Sequence, residues 1–330
     1  MRAQVIRSHG GVDVFEPAEL PLPVAGPGQV LVRVVASSVN PVDTKIRRKG
    51  GGAAPALPAV LGADVAGVVA AVGPGVQRFA VGDAVYGCVG GVRGLQGTLA
   101  EYVAADERLL ARAPHVLPLA DAAALPLVAI TAWEGLVEEA RVQRGESVLV
   151  LGGTGGVGHV AVQLARELGA VVTAAVSSAD KARLAKELGA VHVVDYRKEP
   201  VADYVARITN GRGFDVVFDA TGGSDPSAAF AAAKLRGRVV TIVTAFTADL
   251  SPMHMKGLSL HAVFMPIPML HDVGREAHGA ILREVARLVD AGKLEPIVDS
   301  RFPLERAADA HARLESGAAV GKVVVDVAAP

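Results

Sequence analysis

Leu151-Gly152-Gly153-Thr154-Gly155-Gly156-Val157-Gly158 decides how this chain is read. Ahead of it runs Ser147-Val148-Leu149-Val150-Leu151, short and almost wholly apolar, the pattern of a strand buried on both faces. Behind it, apolar residues at 157, 160, 161, 164, 165 and 168 form one stripe of a helix that Gly169 stops. Glycines at 152, 155 and 158 let a chain turn sharply, bring a pyrophosphate onto bare backbone and seat a helix close to its strand. The helix N-terminus adds free N–H groups and the positive end of a dipole. A glycine triplet alone also describes a flexible surface turn; the flanking strand and helix separate the two readings. Gly152, Gly155, Gly156, Val157 and Gly158 are the expected phosphate contacts. Thr154 either donates its hydroxyl to a phosphate or caps the helix.

Beyond this loop, strand and helix patterns alternate. Strands are expected at 171–176, 191–194, 215–219, 238–243 and 258–264, with helices over 179–188, near 200–209 and over 226–234. Alternation of this kind implies a parallel sheet with right-handed crossovers, here a six-stranded doubly wound α/β Rossmann domain. Upstream, short strands at 30–35, 65–72, 81–86 and 99–103 read as a small β-barrel-type domain. A helical pattern interrupted by Pro126 covers 121–137, and helices over 278–291 and 305–315 precede a last strand at 322–326.

The second strand of the alternating segment ends Ala175-Val176-Ser177-Ser178. A site for NAD usually ends this strand in a carboxylate that holds the ribose hydroxyls, and such a carboxylate would repel a 2′-phosphate. Its absence, with Ser177, Lys181 and Tyr196-Arg197 as nearby donors, points to NADPH. Lys181 reads equally well as an exposed helix lysine, so the missing acid is the stronger half of the argument.

Bulk properties narrow the class. The 330 residues exceed one typical core and imply two domains. With 33 basic and 34 acidic residues the net charge is −1, which gives no footprint for nucleic acid or a membrane surface. The single cysteine, Cys88, excludes an intrachain disulfide and fits a reducing compartment. The opening MRAQVIRSHGG holds no apolar signal core, and no stretch approaches the roughly 18 apolar residues that span a bilayer. The expected location is cytoplasmic.

Six motifs in order then carry a family resemblance: Ser38-Val39-Asn40-Pro41-Val42-Asp43-Thr44-Lys45, Leu61-Gly62-Ala63-Asp64-Val65-Ala66-Gly67, Val81-Gly82-Asp83-Ala84-Val85, Thr131-Ala132-Trp133, the glycine loop, and Gly321-Lys322-Val323-Val324-Val325. Over essentially its whole length the chain resembles the medium-chain dehydrogenase/reductase superfamily, in its zinc-independent quinone oxidoreductase (zeta-crystallin-like) and enone reductase branch. The resemblance implies a discontinuous GroES-like catalytic domain, 1–124 with 266–330, and an inserted Rossmann domain, 125–265. It implies a nicotinamide held in a cleft between them, and a homodimer formed through strand 258–264. Zinc-dependent relatives place cysteine near the Asn40 segment, a His-Glu pair after Gly62 and a further cysteine between the domains. Here Val39-Asn40 and Ala63-Asp64 stand instead, so no metal is expected.

Hydride attack on an electron-poor carbon leaves negative charge on the substrate oxygen, and without zinc a protein donor or water must meet it. The resemblance places the Asn40 segment beside the nicotinamide and so makes Asn40, Asp43 and Lys45 the catalytic candidates. Asn40 would be a neutral donor and Asp43 would orient the segment. Lys45 would donate to an enolate oxygen or hold a ribose hydroxyl. Without the resemblance, Asn40 and Asp43 read as turn formers and Lys45 as a solvated side chain. Thr131 would contact the nicotinamide amide, and Lys322 would approach the cofactor or act as a strand-edge lysine. Arg48-Lys49-Gly50-Gly51-Gly52 stands where some quinone reductases have a further tyrosine, which favours an enone or alkenal over a quinone. The apolar stretch Phe264–Met269 lines the substrate pocket or packs a hinge or dimer. Two other functions are open at this point: a non-catalytic, crystallin-like NADPH-binding protein, and a zinc-type alcohol dehydrogenase, which the missing ligands disfavour.

Overall fold

The computed structural model describes residues 1–223 and 225–328. The chain opens with β1 (Arg2–Ile6), β2 (Phe15–Glu19), β3 (Gln29–Val39), α1 (Pro41–Lys49), β4 (Ala59–Val60), β5 (Asp64–Val72), β6 (Ala84–Cys88), β7 (Tyr102–Asp106) and β8 (Leu110–Arg112). It continues through α2 (Leu119–Ala122), α3 (Pro126–Trp133), β9 (Ser147–Leu151), α4 (Gly156–Glu167), β10 (Val171–Val176), α5 (Ala179–Glu187), β11 (His192–Asp195) and α6 (Val201–Thr209). Then come β12 (Phe214–Asp219), α7 (Ser227–Ala232), β13 (Ala233–Thr241), α8 (Ser251–Lys256), β14 (Ser259–Ala262) and α9 (Ile267–His271). The chain closes with α10 (Arg275–Asp290), β15 (Val298–Pro303), α11 (Ala307–Glu315) and β16 (Lys322–Asp326). Two compact units result, Met1–Ile130 with Pro266–Pro330, and Thr131–Met265. The first break falls inside α3, between Ile130 and Thr131, six residues after the 124/125 boundary read from the sequence. Residues 329 and 330, the end of the segment expected in the catalytic domain, lie outside the described residues.

In the second unit six parallel strands lie in the order β11-β10-β9-β12-β13-β14. The order reverses direction between β9 and β12, the switch point at which ligands bind in doubly wound sheets. Leu149, Val217, Phe214, Phe230, Tyr204 and Val239 belong to its buried core. Each such side chain removed from water contributes roughly 1.5–3 kcal/mol. β9 and β10 match the expected spans to the residue. Others shift. β13 begins at Ala233, inside the stretch read as helix, because Arg236 at φ 57 and Gly237 insert a bulge that lengthens the strand. It ends at Thr241, whose hydroxyl donates to the Val243 carbonyl and turns the chain. β14 is shorter than the expected 258–264.

In the first unit β15-β16-β3-β5-β6-β8 form one sheet, with β7 also paired to β3. β2-β1-β4 form a second, three-stranded sheet. The strand expected at 81–86 starts only at Ala84, because Asp83 accepts the Ala80 N–H and Gly82 takes φ 94, a turn. The strand expected at 99–103 starts at Tyr102; Leu99 instead gives its carbonyl to the Gln4 N–H. The short segment after β3 is a true helix, α1. Its ends are specified locally: Pro41 occupies the first turn, Asp43 accepts the Asn40 N–H, and Arg47, Arg48 and Lys49 lie at the negative end of the dipole.

Candidate active site

The glycine loop leaves β9 at the switch point and enters α4. Gly152 sits at φ 73, and both it and Gly153 donate to the Ala175 carbonyl at 3.1 Å, so the turn is tied to β10. A Cβ on Gly153 would lie 2.8 Å from the Ala174 Cβ, and one on Gly158 would collide with the Gly152 carbonyl. Those two glycines permit close packing of helix on strand. Gly155 differs: a Cβ there meets only the Gly152 carbonyl, at 3.4 Å, so the space over it is open. Gly156, Val157 and Gly158 are the first residues of α4, and helix-opening N–H groups have no intrahelical acceptor. Thr154 is buried beneath the loop. Thr221, which the sequence reading missed, follows β12 across the switch point, with its methyl 3.3 Å from where a Gly152 Cβ would be. Asp219 fixes it by accepting both its N–H and its hydroxyl.

Beside the loop, β10 ends without an acid. Ser177 is half-buried, and Ser178 caps α5 by accepting the Lys181 N–H at 3.3 Å. The half-buried Lys181 makes no ion pair among the described residues. Tyr196 donates its N–H to the Val176 carbonyl, which brings it to the end of β10, and its side chain is exposed. The carboxylate nearby, Asp195, ends β11 and is already occupied by Lys198 and the Arg197 N–H. Ser177, Lys181 and Tyr196 thus gather at the ends of β10 and β11. Thr131 is buried on α3.

In the first unit the structure separates the three catalytic candidates. Asn40 and Asp43 are fully buried, while Lys45 is exposed on α1. Asn40 belongs to a closed polar cluster. Its Nδ2 donates to Asp64 Oδ2 at 2.8 Å, and its Oδ1 accepts from the Lys322 ammonium. Lys322 also donates to the Val39 carbonyl at 3.1 Å and lies 3.4 Å from Asp64. Asp64 further accepts from the Ser38 hydroxyl at 2.7 Å and the Leu127 N–H at 2.8 Å. Burial, opposed by the Asn40 N–H and reinforced by the Asp64 charge, pushes the Asp43 carboxyl up to about 7. Lys322, read from the sequence as a cofactor contact, is 2% exposed, with its ammonium committed inside this cluster. Asp64 stands in the sequence as part of a family motif and in place of a zinc ligand; nothing in its spacing signals four donors. Among the described residues no three His, Cys, Asp or Glu side chains come together in a metal-binding group.

Comparison with known proteins adds to this geometry. A family model described as "Alcohol dehydrogenase GroES-like domain" matches residues 26–115, and one described as "Zinc-binding dehydrogenase" matches residues 188–325. The chain is 39% identical to the chloroplastic NADPH-dependent alkenal/one oxidoreductase of Arabidopsis thaliana, over 98% of this chain and 79% of that protein. It is 38% identical to the 2-methylene-furan-3-one reductase of Solanum lycopersicum over the same shares. Among solved structures, an alcohol dehydrogenase superfamily protein from Novosphingobium aromaticivorans superposes with TM-score 0.93 at 42% identity, covering 99% of this chain and 100% of that one. The Escherichia coli quinone oxidoreductase complexed with NADPH superposes with TM-score 0.88 at 27% identity, with the same coverage.

Proposed function

The chain belongs to the medium-chain dehydrogenase/reductase superfamily, in the branch of enone and quinone reductases, and from that premise we propose that it reduces a small α,β-unsaturated carbonyl compound or quinone with NADPH, without zinc. The observation that carries the choice of coenzyme is the end of β10, where Ser177 and an unpaired Lys181 stand in place of an acid, beside the open cradle at Gly155. NADPH, when bound, supplies a hydride to the electron-poor carbon. The N–H groups of Gly156, Val157 and Gly158 hold the pyrophosphate, with Gly152 and Thr154 shaping the turn beneath it. Ser177, Lys181 and Tyr196 take the 2′-phosphate, Lys181 as its cation. Thr131 receives the nicotinamide amide.

On the first unit, Lys45 is the accessible candidate for meeting negative charge on the substrate oxygen. Its ammonium either donates a hydrogen bond to the enolate oxygen or transfers a proton to it and is recharged from solvent. Asn40 and Asp43 act from the buried start of the same helix, Asp43 accepting the Asn40 N–H. The missing cysteine and histidine at Asn40 and Ala63 support a reaction without zinc. β14, the outermost strand of its sheet, supports a homodimer formed by strand pairing. Among the described residues no helix is long and apolar enough to cross a membrane, and one buried cysteine suits the reducing cytoplasm.

Purified protein, followed by NADPH absorbance, is expected to oxidise NADPH with a short enone or a quinone. Replacement of Lys181 by Ala should raise the Kd for NADPH about tenfold and leave NADH binding unchanged, in line with loss of one charge-assisted bond. Equal effects on both coenzymes would remove Lys181 from the phosphate site.

A further inference from the structure

Asp64 is fully buried, yet it gathers four donors from three separated stretches: Ser38 at the end of β3 and Asn40 at the cap of α1, the Leu127 N–H in the first turn of α3, and Lys322 at the start of β16. A buried carboxylate is costly unless its charge is met, and Lys322, itself buried, supplies that charge. The arrangement also leaves the Asn40 carboxamide one orientation. A cation faces its oxygen and a carboxylate faces its nitrogen, so a flip would set like against like on both sides. Asn40 in turn caps α1, the helix that carries Lys45, and Leu127 opens the helix that carries Thr131.

We propose that Asp64 and Lys322 are positioning residues for the reduction: the buried pair locks the Asn40 carboxamide and with it the first turns of α1 and α3, and Lys322 acts through Asn40 and not on the coenzyme. The inference rests on the reductase reading given above. It differs from a purely structural role in what it makes separable. A neutral, shape-conserving replacement of a buried ion pair often restores stability, because it removes both charges together. Geometry at the Asn40 amide would not return with it.

Three variants test this: Asp64→Asn, Lys322→Met, and the two combined. Each single variant strands one buried charge and is expected to lower Tm. The double variant is expected to regain most of the loss. In that double variant kcat for an enone should stay about 10- to 100-fold down, the range expected for misplacement of a reacting group, with the Kd for NADPH from fluorescence titration within about twofold of wild type. Amide hydrogen exchange over the first turns of α1 and α3 should be faster than in wild type. Recovery of kcat together with Tm would overturn the proposal, leaving the pair a fold-stabilising element only. A large rise in the Kd for NADPH in Lys322→Met would place Lys322 on the coenzyme and overturn it as well. Unchanged exchange in the double variant would do the same whatever the turnover. Absence of turnover in wild-type protein, by contrast, would strike at the reductase reading, while the exchange measurement would still judge the pair.

Discussion

Lys45 and Asp43, two residues apart on one helix, meet opposite surroundings, and their tests differ accordingly. Lys45 is exposed. Replacing it with Met should lower kcat/KM for an enone by about 10²-fold, the lower end for loss of a positioned acid, without moving the Kd for NADPH. An unchanged kcat/KM would return Lys45 to the solvated surface. Asp43 is buried, and its carboxyl holds a proton up to about pH 7 against an ordinary value of 3.8. The folded state therefore binds that proton more tightly than the unfolded chain. Its contribution is complete below the unfolded value and is lost as pH rises towards 7. His311 runs the other way: burial, with the Arg47 charge beside it, lowers its pKa from 6.5 to about 3. Its contribution is complete above 6.5 and is lost as pH falls towards 3. Each slope approaches about 1.4 kcal/mol per pH unit within its window. Between about pH 4 and 6.5 they oppose, so wild-type Tm should be nearly flat there. Asp43→Asn keeps an oxygen for the Asn40 N–H and removes one slope, so its Tm should climb steeply with pH over the same interval. A variant profile as flat as wild type would contradict both assignments.

At the scale of elements, the glycine loop separates packing from binding. Gly158→Ala drives a Cβ into the Gly152 carbonyl and should lower Tm by several degrees while abolishing NADPH binding. Gly155→Ala places its methyl in open space over the loop, so Tm should hardly move while the Kd for NADPH rises at least about tenfold. Equal losses of stability in the two variants would mean that the space over Gly155 is not the cradle. Elements of this unit were legible because their strands are buried on both faces: β9 and β10 are short, mostly apolar runs. The β13 bulge was not, since Arg236 at positive φ leaves no mark in hydrophobic periodicity. α1 was legible in principle, with Asn40, Pro41, Asp43 and Gly50 all in helix-end positions. Its nine residues, however, are too few and too charged for the apolar stripe to stand out. In the candidate site, the glycine turn between β9 and α4 and the lack of an acid at the end of β10 could be read locally, because backbone conformation depends on local sequence. The Asp64 cluster could not: its partners lie up to 258 residues apart, and only folding brings them together.

At the scale of the whole molecule, the six-stranded sheet ends in β14, whose outer edge finds no partner among the described residues. Such an edge is a template for a second copy. Light scattering should give a mass about twice 33.8 kDa, and a mass near 33.8 kDa would rule out pairing through β14. Coenzyme should also stabilise the fold by mass action, by about 2.7 kcal/mol at 100 times its Kd. The central claim, that this chain spends NADPH on a conjugated carbonyl compound, is tested most directly by initial rates with a short enone and each nicotinamide coenzyme in turn. The account predicts turnover with NADPH at a kcat/KM about 10²-fold above that with NADH, the gain expected from one phosphate held by a cation and two hydroxyls. Preference for NADH, or no consumption of either coenzyme with any enone or quinone, would contradict it.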